Sequence, residues 1–268
     1  MTRESLSEFL DSHRSVTILT GAGVSTGSGI PDYRDEKGDW KTAEPIQFAA
    51  FASSDDTRRR YWARSYVGWQ RFGQAQPNDA HRSLARLEAA GKIDTLITQN
   101  VDRLHSRAGS ERVIDLHGDL SRVRCIDCNA TTARTDYQER IRAANPDWHA
   151  RVFEYRPDGD AELAVDSYTA FSVPECTTCG GRMKPDVVMF GENVPTDRVA
   201  EAMAAVDRAD ALLVVGSSLM VYSGFRFARR AHDTGKPIAI VNRGATRADD
   251  LATLKVEDDC AAALQSFI

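Results

Sequence analysis

Four of the five cysteines stand in two pairs whose spacing is typical of a metal site. Cys125 and Cys128 form one CxxC pair, Cys176 and Cys179 form a second, and 47 residues lie between the pairs. Two such pairs can place four thiolates around one tetrahedral zinc ion with no open coordination position, so we expect a structural zinc. The alternatives are a redox CxxC, which needs only one pair, and a nucleic-acid-binding zinc ribbon, which the net charge of −5 disfavours.

Small and amide residues follow four apolar runs of the chain. These sets are Gly21-Ala22-Gly23, Gln99-Asn100-Val101-Asp102, Gly216-Ser217-Ser218 and Asn242-Arg243-Gly244. Open α/β sheets bind ligands just beyond the carboxyl ends of their strands, so the four sets suit one extended ligand. The glycine turn matches the dinucleotide pattern GxGxxG only in part. Residues 32–44 read as a polar loop, where a dehydrogenase has a second strand that ends in an acidic residue. A nucleotide phosphate site is therefore favoured over hydride transfer.

His117 is the histidine best placed for chemistry among the six in the chain. It follows the short apolar run Ile114-Asp115-Leu116 and precedes Gly118, so we expect it at the end of a strand. An imidazole titrates near neutral pH and suits a general base. From the residues alone, a hydrogen-bonded structural histidine remains equally open.

The elements that must position these groups alternate along the chain. Apolar runs rich in β-branched residues predict strands over Val16–Leu19, Ile93–Thr98, Ala211–Val215 and Ile238–Val241. Helices are predicted over Asn78–Ala90 and Ser223–Thr234, each followed by a glycine. This alternation predicts an α/β fold: a Rossmann-like parallel sheet with helices on both faces.

Two stretches interrupt the alternation. Residues 33–77 have a helical pattern, in which Trp62, Tyr66 and Trp69 form a stripe that we expect to face a core. Residues 119–184 carry both cysteine pairs. We expect these insertions to pack together as a smaller zinc-binding domain. The predicted limits are 1–33, 78–118 and 185–268 for the Rossmann-like domain, and 34–77 and 119–184 for the small domain, which combines a helical module with a four-cysteine zinc module.

The composition limits the possible environments of the protein. The chain has 268 residues, of which 42% are hydrophobic and 27% charged, as in a globular domain. No window approaches the roughly 18 consecutive apolar residues of a membrane span. The first 14 residues are polar and include Glu4, Glu8 and Asp11, unlike a secretory or transit signal. We therefore expect a cytoplasmic protein without direct nucleic-acid binding and without membrane binding.

Seven motifs occur in the order found in sirtuins, and the resemblance runs from about Ser15 to the carboxyl terminus. The motifs are Gly21–Arg34, Thr98–Asp102, Leu116–Gly118, the paired cysteines, Lys184–Glu192, Val215–Leu219 and Val241-Asn242. The chain thus resembles the sirtuin family of NAD-dependent protein deacylases. The resemblance implies that NAD is a co-substrate between a Rossmann-like domain and a zinc-containing small domain. It also implies products of free lysine, nicotinamide and O-acyl-ADP-ribose.

The resemblance also implies a role for individual residues. It gives His117 as the base that deprotonates a ribose hydroxyl, with Asn100 as a second catalytic residue. The implied NAD-binding residues are Gly21, Ala22, Gly23, Ser25, Ile30, Asp32, Tyr33, Arg34, Gln99, Asn100, Val101, Asp102, Gly216, Ser217, Ser218, Asn242, Arg243, Gly244 and Cys260. Acylated-lysine segments of proteins are the implied partners. Two strands would pair with them, formed by Met189, Phe190, Gly191 and Glu192 and by Leu219, Met220 and Val221.

Departures from the commonest sirtuin pattern indicate the class II branch. Tyr33 stands where many relatives have phenylalanine, Val101 where many have isoleucine, and 222–224 where a proline is frequent. These choices are similar to the branch that holds the mitochondrial lipoamidase/ADP-ribosyltransferase and bacterial relatives. Residues 38–44 lack the tyrosine and arginine of desuccinylases, so we do not expect succinyl preference, although Lys41 keeps a cation in reach.

Acyl specificity and two other functions remain open from the sequence. Residues 129–175 exceed what a zinc knuckle needs, and we read their middle, Arg151–Phe171, as an irregular loop. Our hypothesis is that its apolar residues line an acyl tunnel and that its carboxylates, including Asp160 and Glu162, repel acidic acyl groups. One alternative function is mono-ADP-ribosyl transfer from the same NAD site. The other is a zinc-stabilised, NAD-sensing binding module without turnover.

Overall fold

The computed structural model describes residues 3–41 and 45–267. The helices are α1 (Arg3–Ser12), α2 (Phe48–Ser53), α3 (Asp55–Phe72), α4 (Asp79–Ala89), α5 (Leu104–Arg107), α6 (Arg134–Ala144), α7 (Thr196–Arg208), α8 (Tyr222–Asp233) and α9 (Cys260–Ala263). The strands are β1 (Val16–Thr20), β2 (Ile93–Thr98), β3 (Val113–Asp115), β4 (Gly118–Cys125), β5 (Thr131–Ala133), β6 (Arg151–Tyr155), β7 (Ala161–Ala164), β8 (Met183–Val187), β9 (Ala211–Val215), β10 (Ile238–Val241) and β11 (Leu254–Val256). Within the described ranges, each helix is too short or too polar to cross a membrane.

The chain divides into two compact units. Unit 1 comprises Met1–Ala43, Gln76–Leu116 and Val194–Ile268, and unit 2 comprises Glu44–Ala75 and His117–Asn193. These limits differ from the predicted domain limits chiefly at 34–43 and at 185–193, and by two residues at 76–77 and at 117–118. The first stretch belongs to unit 1 because Ala245 N donates to Glu36 O at 2.8 Å. The second belongs to unit 2 because β8 pairs with β4 up to Val187.

Unit 1 is built on a six-stranded sheet in the order β11-β10-β9-β1-β2-β3, and every neighbouring pair is parallel. Side chains alternate between its two faces, because successive residues of a strand point in opposite directions. One core joins Ile18 and Leu213 to apolar residues of α1, α4 and α9. The other joins Leu19 and Leu212 to residues of α7 and α8. The predicted α/β class, with a parallel sheet covered on both faces, is confirmed.

Helix punctuation places the ends of the helices close to the predicted ones. Asn78 caps α4: its side chain accepts hydrogen bonds from Ala80 N and His81 N, and the His81 side chain accepts from Asn78 N. Such a reciprocal cap satisfies backbone donors that the first turn leaves unpaired. Helix α8 begins at Tyr222, one residue before the predicted start, and Gly235 follows its end with a φ of +71°.

Unit 2 combines the helices α2, α3 and α6 with two small sheets. One sheet has the order β5-β4-β8 and the other pairs β6 with β7, in both cases antiparallel. Its core contains Trp62, Tyr137 and Phe171. Trp62 of the predicted stripe is fully buried and donates from Nε1 to Met183 O at 2.9 Å. Tyr66 and Trp69 are partly buried.

The expected irregular loop at 151–171 is partly wrong, because 151–164 forms the β6–β7 hairpin. The hairpin docks on α3, where the backbone comes so close that a Cβ on Gly68 would lie 2.5 Å from Gly159 O. The carboxyl groups of Asp160 and Glu162 lie 2.9 and 3.0 Å from the guanidinium of Arg64 in α3. Arg64 therefore holds both groups, which contradicts their expected role as free carboxylates that repel acidic acyl groups.

Candidate active site and metal centre

The loops that follow β1 and β9 pack backbone against backbone. Gly21 N donates to Val215 O at 3.2 Å, and Gly23 N donates to Gly216 O at 2.9 Å. A Cβ on Gly23 would lie 2.9 Å from Gly216 O, and a Cβ on Gly216 would lie 2.4 Å from Val24 N. The φ of Gly216 is +63°, in a region that glycine adopts without strain. Only glycine permits this approach at the carboxyl edge of the sheet, where the pyrophosphate is predicted.

Ser25, Asn100 and Asp102 form one hydrogen-bonded group at the ends of β1 and β2. Ser25 Oγ donates to Asp102 Oδ2 at 2.6 Å, and Asn100 Nδ2 donates to Ser25 Oγ at 3.1 Å and to Gly21 O at 3.0 Å. Burial raises the pKa of Asp102, while hydrogen bonds from Ser25 Oγ and Leu104 N act to lower it. The group holds the glycine turn, and it brings together four predicted NAD-binding residues.

Gln99 and Ser217 connect the loop after β2 to the loop after β9. Gln99 Nε2 donates to Ser217 Oγ at 2.8 Å and to Thr20 O at 3.1 Å. Ser217 Oγ also accepts from Leu219 N at 3.3 Å. These contacts bring two more of the predicted NAD-binding residues into the same edge of unit 1. Their neighbours in the predicted set, Val101 and Ser218, are partly buried.

The predicted loop over the nicotinamide ribose is folded on itself. Its Arg34 donates from Nη1 to Gly38 O at 2.7 Å and stacks 4.0 Å from the centroid of the Trp40 ring. Lys41 N donates to Tyr33 O at 3.0 Å. Close hydrogen bonds of this kind define the conformation of the loop without a strand or helix.

Asp32 and Ile30 lie at the start of this loop. The Asp32 carboxylate is ion-paired with Lys41 Nζ, so the cation that the sequence leaves in reach of an acyl group has a carboxylate partner. Ile30 is buried, and its N–H donates to Ser25 O at 3.3 Å. The loop therefore begins on the hydrogen-bonded group around Ser25.

The predicted adenosine residues lie after β10 and at the start of α9. Asn242 is buried and donates from Nδ2 to Arg243 O at 2.8 Å and to Gly244 O at 3.3 Å. Arg243 is exposed and lies 3.5 Å from Asp259. Burial raises the pKa of the Cys260 thiol to about 12, so this cysteine stays a neutral, buried thiol at the first position of α9.

His117 lies in the turn between β3 and β4, as the sequence predicts for a strand end. It is partly buried, and its carbonyl oxygen accepts from Val188 N at 2.7 Å. Gly118 follows with a φ of +91°, and a Cβ there would lie 2.2 Å from Asp186 O. The backbone of His117 and Gly118 is thus held against residues 186–188.

The two predicted substrate-pairing segments are not strands of the described sheets. Glu192 N donates to Met189 O at 3.0 Å, which makes a turn, and the Glu192 carboxylate is ion-paired with Lys184. Phe190 bridges to Gln47. Leu219 has a φ of +56°, which interrupts an extended backbone. The expectation of preformed strands is therefore wrong, and pairing with a peptide stays a prediction.

The four paired cysteines converge in unit 2 as a metal site. Their sulfur atoms all lie within 4.8 Å of one another. Cys125 Sγ is 3.6 Å from Cys179 Sγ, and Cys128 Sγ is 3.7 Å from Cys176 Sγ. A tetrahedral zinc with Zn–S bonds of 2.3 Å requires sulfurs about 3.8 Å apart, whereas a disulfide requires about 2.05 Å. The donor set therefore fits one structural zinc.

Backbone amides lie close to two of the four cysteine sulfurs. Asp127 N lies 3.4 Å from Cys125 Sγ, and Thr178 N lies 3.4 Å from Cys176 Sγ. The N–H groups of Thr178 and Cys179 lower the pKa of Cys176 to about 6. Zinc binds thiolates, so these amides assist metal binding.

A further chain of buried polar groups in unit 1 is not apparent from the sequence. Thr20 Oγ1 donates to Thr98 Oγ1 at 2.9 Å, and Thr98 Oγ1 also accepts from Asn100 N at 3.1 Å. His105 Nε2 lies 2.9 Å from Thr20 Oγ1, and its ring lies 4.7 Å from that of His81. The members come from β1, β2, α4 and α5, so only the spacing Asn78-x-x-His81 of the helix cap could have signalled one of them.

The hydrogen bonds of these buried polar groups indicate which nitrogen of each imidazole carries the proton. Because His105 Nδ1 is buried without a partner, we infer that the ring proton is on Nε2, which donates to Thr20 Oγ1 while the Thr20 hydroxyl donates to Thr98. His81 Nδ1 accepts from Asn78 N at 3.3 Å, so the His81 proton is on Nε2. Burial lowers the pKa of His81 to about 4 and that of His105 well below its usual value. Both rings are therefore neutral at pH 7.

Known proteins of one family are similar to this chain over nearly its whole length. The model of the Sir2 family matches residues 21–223. NAD-dependent protein deacetylase 2 of Bradyrhizobium diazoefficiens is 58% identical over 98% of this chain and 97% of its own length. The mitochondrial NAD-dependent protein lipoamidase sirtuin-4 of Bos taurus is 48% identical over 95% of this chain and 82% of its own length. A solved complex of Sir2, a p53 peptide and NAD+ has a TM-score of 0.81 and 33% identity, with 99% and 97% of the two chains covered.

Proposed function

Because the chain belongs to the Sir2 family, we propose that it removes acyl groups from lysine side chains of proteins with NAD as co-substrate. The products are free lysine, nicotinamide and O-acyl-ADP-ribose. One observation carries the proposal: a relative named as an NAD-dependent protein deacetylase shares 58% of its residues with this chain over almost the full length. The fold of unit 1 is compatible with it, since Gly21, Gly23 and Gly216 let the loops after β1 and β9 pack closely at the carboxyl edge of the parallel sheet, where open α/β sheets bind ligands.

We assign the steps of binding to residues of unit 1. The backbone of 21–25 holds the pyrophosphate, while Asn100 and Asp102 orient the nicotinamide ribose. Gly216, Ser217, Ser218 and Asn242 hold the adenosine half. When bound, NAD supplies a ribose carbon from which nicotinamide can leave. The loop that contains Asp32, Tyr33 and Arg34 excludes water, which would otherwise hydrolyse the activated ribose.

We assign proton transfer to His117. Its imidazole would accept the proton of a ribose hydroxyl, whose oxygen can attack the acyl carbon once the acyl oxygen has displaced nicotinamide from the ribose. The contact of the His117–Gly118 backbone with residues 186–188 limits the positions that the ring can take. Met189–Glu192 and Leu219–Val221 bind the backbone of the acylated segment by strand addition.

The four cysteines hold a zinc that supports the fold of unit 2. A set of four thiolates fills the coordination shell, so the metal has no position for substrate or water. Reduced thiols are required for this site, which supports a cytoplasmic location. The absence of direct nucleic-acid binding stays a prediction that rests on the net charge of −5.

The test compares wild type with His117→Ala on an acetyl-lysine peptide with NAD. We expect nicotinamide and O-acetyl-ADP-ribose from wild type, and a loss of ~10²–10⁴-fold in turnover for His117→Ala with unchanged melting temperature and NAD affinity. His149→Ala, an exposed histidine of the same unit, is the matched control and should keep full activity. A variant at His117 that retains more than about a tenth of the wild-type turnover would exclude the assigned role.

The same assay separates the alternatives. ADP-ribosyl transfer would leave ADP-ribose attached to protein and would give no O-acetyl-ADP-ribose. A binding module without turnover would release no nicotinamide in the presence of the peptide.

A further inference from the structure

Two arginines lie beside the start of α8, one in the helix and one in the loop after β10, and they differ from the other arginines of α8 in their partners. Arg230 is paired with Asp207 at 2.7 Å, and Arg229 lies 3.7 Å from Asp233. Arg226 of α8 and Arg247 of the loop after β10 have no carboxylate within ion-pair distance among residues 3–41 and 45–267. The chain has 39 acidic residues against 34 lysines and arginines, so acidic partners are in excess.

Aromatic rings hold these two arginines in place. The Arg226 guanidinium carbon lies 5.2 Å from the centroid of the Tyr222 ring. The Arg247 guanidinium carbon lies 4.4 Å from the centroid of Phe225 and 5.9 Å from that of Tyr222. Stacking on aromatic faces orients a guanidinium and leaves its N–H groups able to bind a carboxylate. We call Tyr222, Phe225, Arg226 and Arg247 the arginine–tyrosine patch.

The patch is accessible and adjoins a proposed substrate segment. Tyr222 is 50% exposed and Val221 is 38% exposed, and large apolar groups this exposed are uncommon in the described chain. Arg247 Nη1 lies 3.4 Å from Met220 O, so the patch continues directly from Leu219–Val221. A peptide paired with that segment would carry its next side chains past Tyr222.

We propose that the arginine–tyrosine patch binds acidic side chains that flank the acylated lysine, so that the preferred substrates are segments rich in aspartate and glutamate. The inference rests on the proposed function, because it takes Leu219–Val221 as the backbone-pairing segment. Each carboxylate of the substrate finds a cation that no carboxylate of the protein neutralises. Charge complementarity at such a rim favours acidic segments and disfavours basic ones.

The experiment uses three acetyl-lysine peptides that differ only in the two residues on each side of the lysine. These residues are Asp and Glu, their neutral counterparts Asn and Gln, or Lys. We expect wild-type kcat/KM for the acidic peptide to exceed that for the neutral one by about three- to tenfold, as for ordinary surface ion pairs. The ratio should shrink in high salt, because exposed charges are screened.

Variants assign this ratio to the patch. The double variant Arg226→Gln, Arg247→Gln should turn over the acidic and neutral peptides equally. Arg229→Gln is the matched control on the same helix and should keep the wild-type ratio. The single variant Arg247→Gln, at an exposed position, tests the inference independently if the double variant has a lower melting temperature. Equal kcat/KM for acidic and neutral peptides in wild type, or an unchanged ratio in Arg247→Gln and in a folded double variant, would overturn the inference.

The experiment also distinguishes failure of this inference from failure of the proposed function. A succinyl-lysine peptide with neutral flanks is included, and a loss confined to it in the double variant would mean that the patch binds an acidic acyl group instead of flanking residues. Failure of all peptides to release nicotinamide above the peptide-free background would refute the proposed function itself. Activity on every peptide without charge preference would refute only the inference about the patch.

Discussion

Each unit buries a cluster of titratable side chains, and the two clusters differ in charge. In unit 1, the neutral His105 belongs to a chain of hydroxyl and amide hydrogen bonds, and the ring of the neutral His81 packs 4.7 Å from it. In unit 2, the charged Arg64 guanidinium is enclosed by the carboxyl groups of Asp160 and Glu162 at 2.9 and 3.0 Å. Neutral polar groups cost little to bury once they are hydrogen-bonded, whereas charges also need a partner.

The difference follows from what surrounds the clusters. Unit 1 has a parallel sheet with two apolar cores, so its polar chain only has to align loops that the sheet already places. Unit 2 has two small sheets and one core. Its hairpin and its cysteine knuckles are joined to the rest by an ion pair and by a metal site. We infer that unit 1 is stabilised mainly by apolar burial and unit 2 by specific polar and metal contacts.

Removal of zinc should have the largest effect and should be confined to unit 2. Structural zinc contributes ~10–16 kcal/mol of apparent folding free energy in small zinc-binding peptides. We expect one zinc per chain by elemental analysis. After chelation, hydrogen exchange should show loss of protection in residues 117–193 while β1, β2, β9 and β10 keep theirs.

The control for this prediction is Cys260→Ser, since Cys260 is a free cysteine outside the metal cluster. That variant should bind one zinc and respond to chelation as wild type does. Protein that lacks zinc when it is purified from cytosol, or equal loss of protection in both units, would contradict the contrast between them.

The sequence predicts unit 1 better than unit 2, and the reason is physical. Strands such as Ile93–Thr98 and Ala211–Val215 are buried on both faces, so they read as apolar runs with clear ends. The cysteine cluster is equally clear, because CxxC pairs are local. The β6–β7 hairpin is not, because Phe153 is 81% exposed and the strand lacks a simple apolar face.

The parts of the site that sequence misses depend on distant partners. Arg64 meets Asp160 from 96 positions away (160 − 64), and no local pattern indicates such a pair. Thr20 and His105 meet only because β1 lies beside β2 in the sheet. The positions of the glycine turns and of His117 could be predicted from strand ends. Their hydrogen-bonded support could not.

Acidification should shift the stability of the two units in opposite directions. Burial, followed by the nearby Asp158 charge, raises the pKa of Asp160 to about 8. The folded state then holds a proton that the unfolded state has released above pH ~3.8, so this contribution to stability increases as the pH falls from 8 towards 4. The pKa of His81 is lowered to about 4. The unfolded state therefore gains a proton below pH ~6.5 that the folded state does not bind, and stability decreases.

The measurement is the local unfolding free energy of each unit by hydrogen exchange at pH 7.5 and 5.5 with excess zinc. We expect unit 2 to gain about 2 kcal/mol from Asp160 and unit 1 to lose about 1 kcal/mol per buried histidine. Asp160→Asn should abolish the gain in unit 2 and leave unit 1 unchanged. A loss of stability in unit 2 that is the same in wild type and Asp160→Asn would show that Asp160 is ionised in the folded state.

The smallest expected effect concerns the neutral chain of unit 1 and its action on Asn100. His105 Nε2–H donates to Thr20, whose hydroxyl donates to Thr98, which in turn accepts the Asn100 N–H. His105→Leu removes the first donor and leaves a buried hydroxyl without its partner, which costs about 1 kcal/mol. A loss of about 1 kcal/mol corresponds to a factor of about five in binding. We therefore expect KM for NAD to rise about fivefold, with little change in kcat at saturating NAD.

His105→Gln makes this prediction specific, because Gln Nε2 is the same number of bonds from the backbone as His Nε2 and also carries a proton. Gln should therefore restore KM for NAD close to the wild-type value. His105→Asn is shorter by one atom and should behave like Leu. A purely structural role for the ring would instead lower the melting temperature of the Gln, Asn and Leu variants without separating their KM values. An equal rise of KM in the Gln and Leu variants would mean that ring packing, and not the proton on Nε2, holds Asn100 in place.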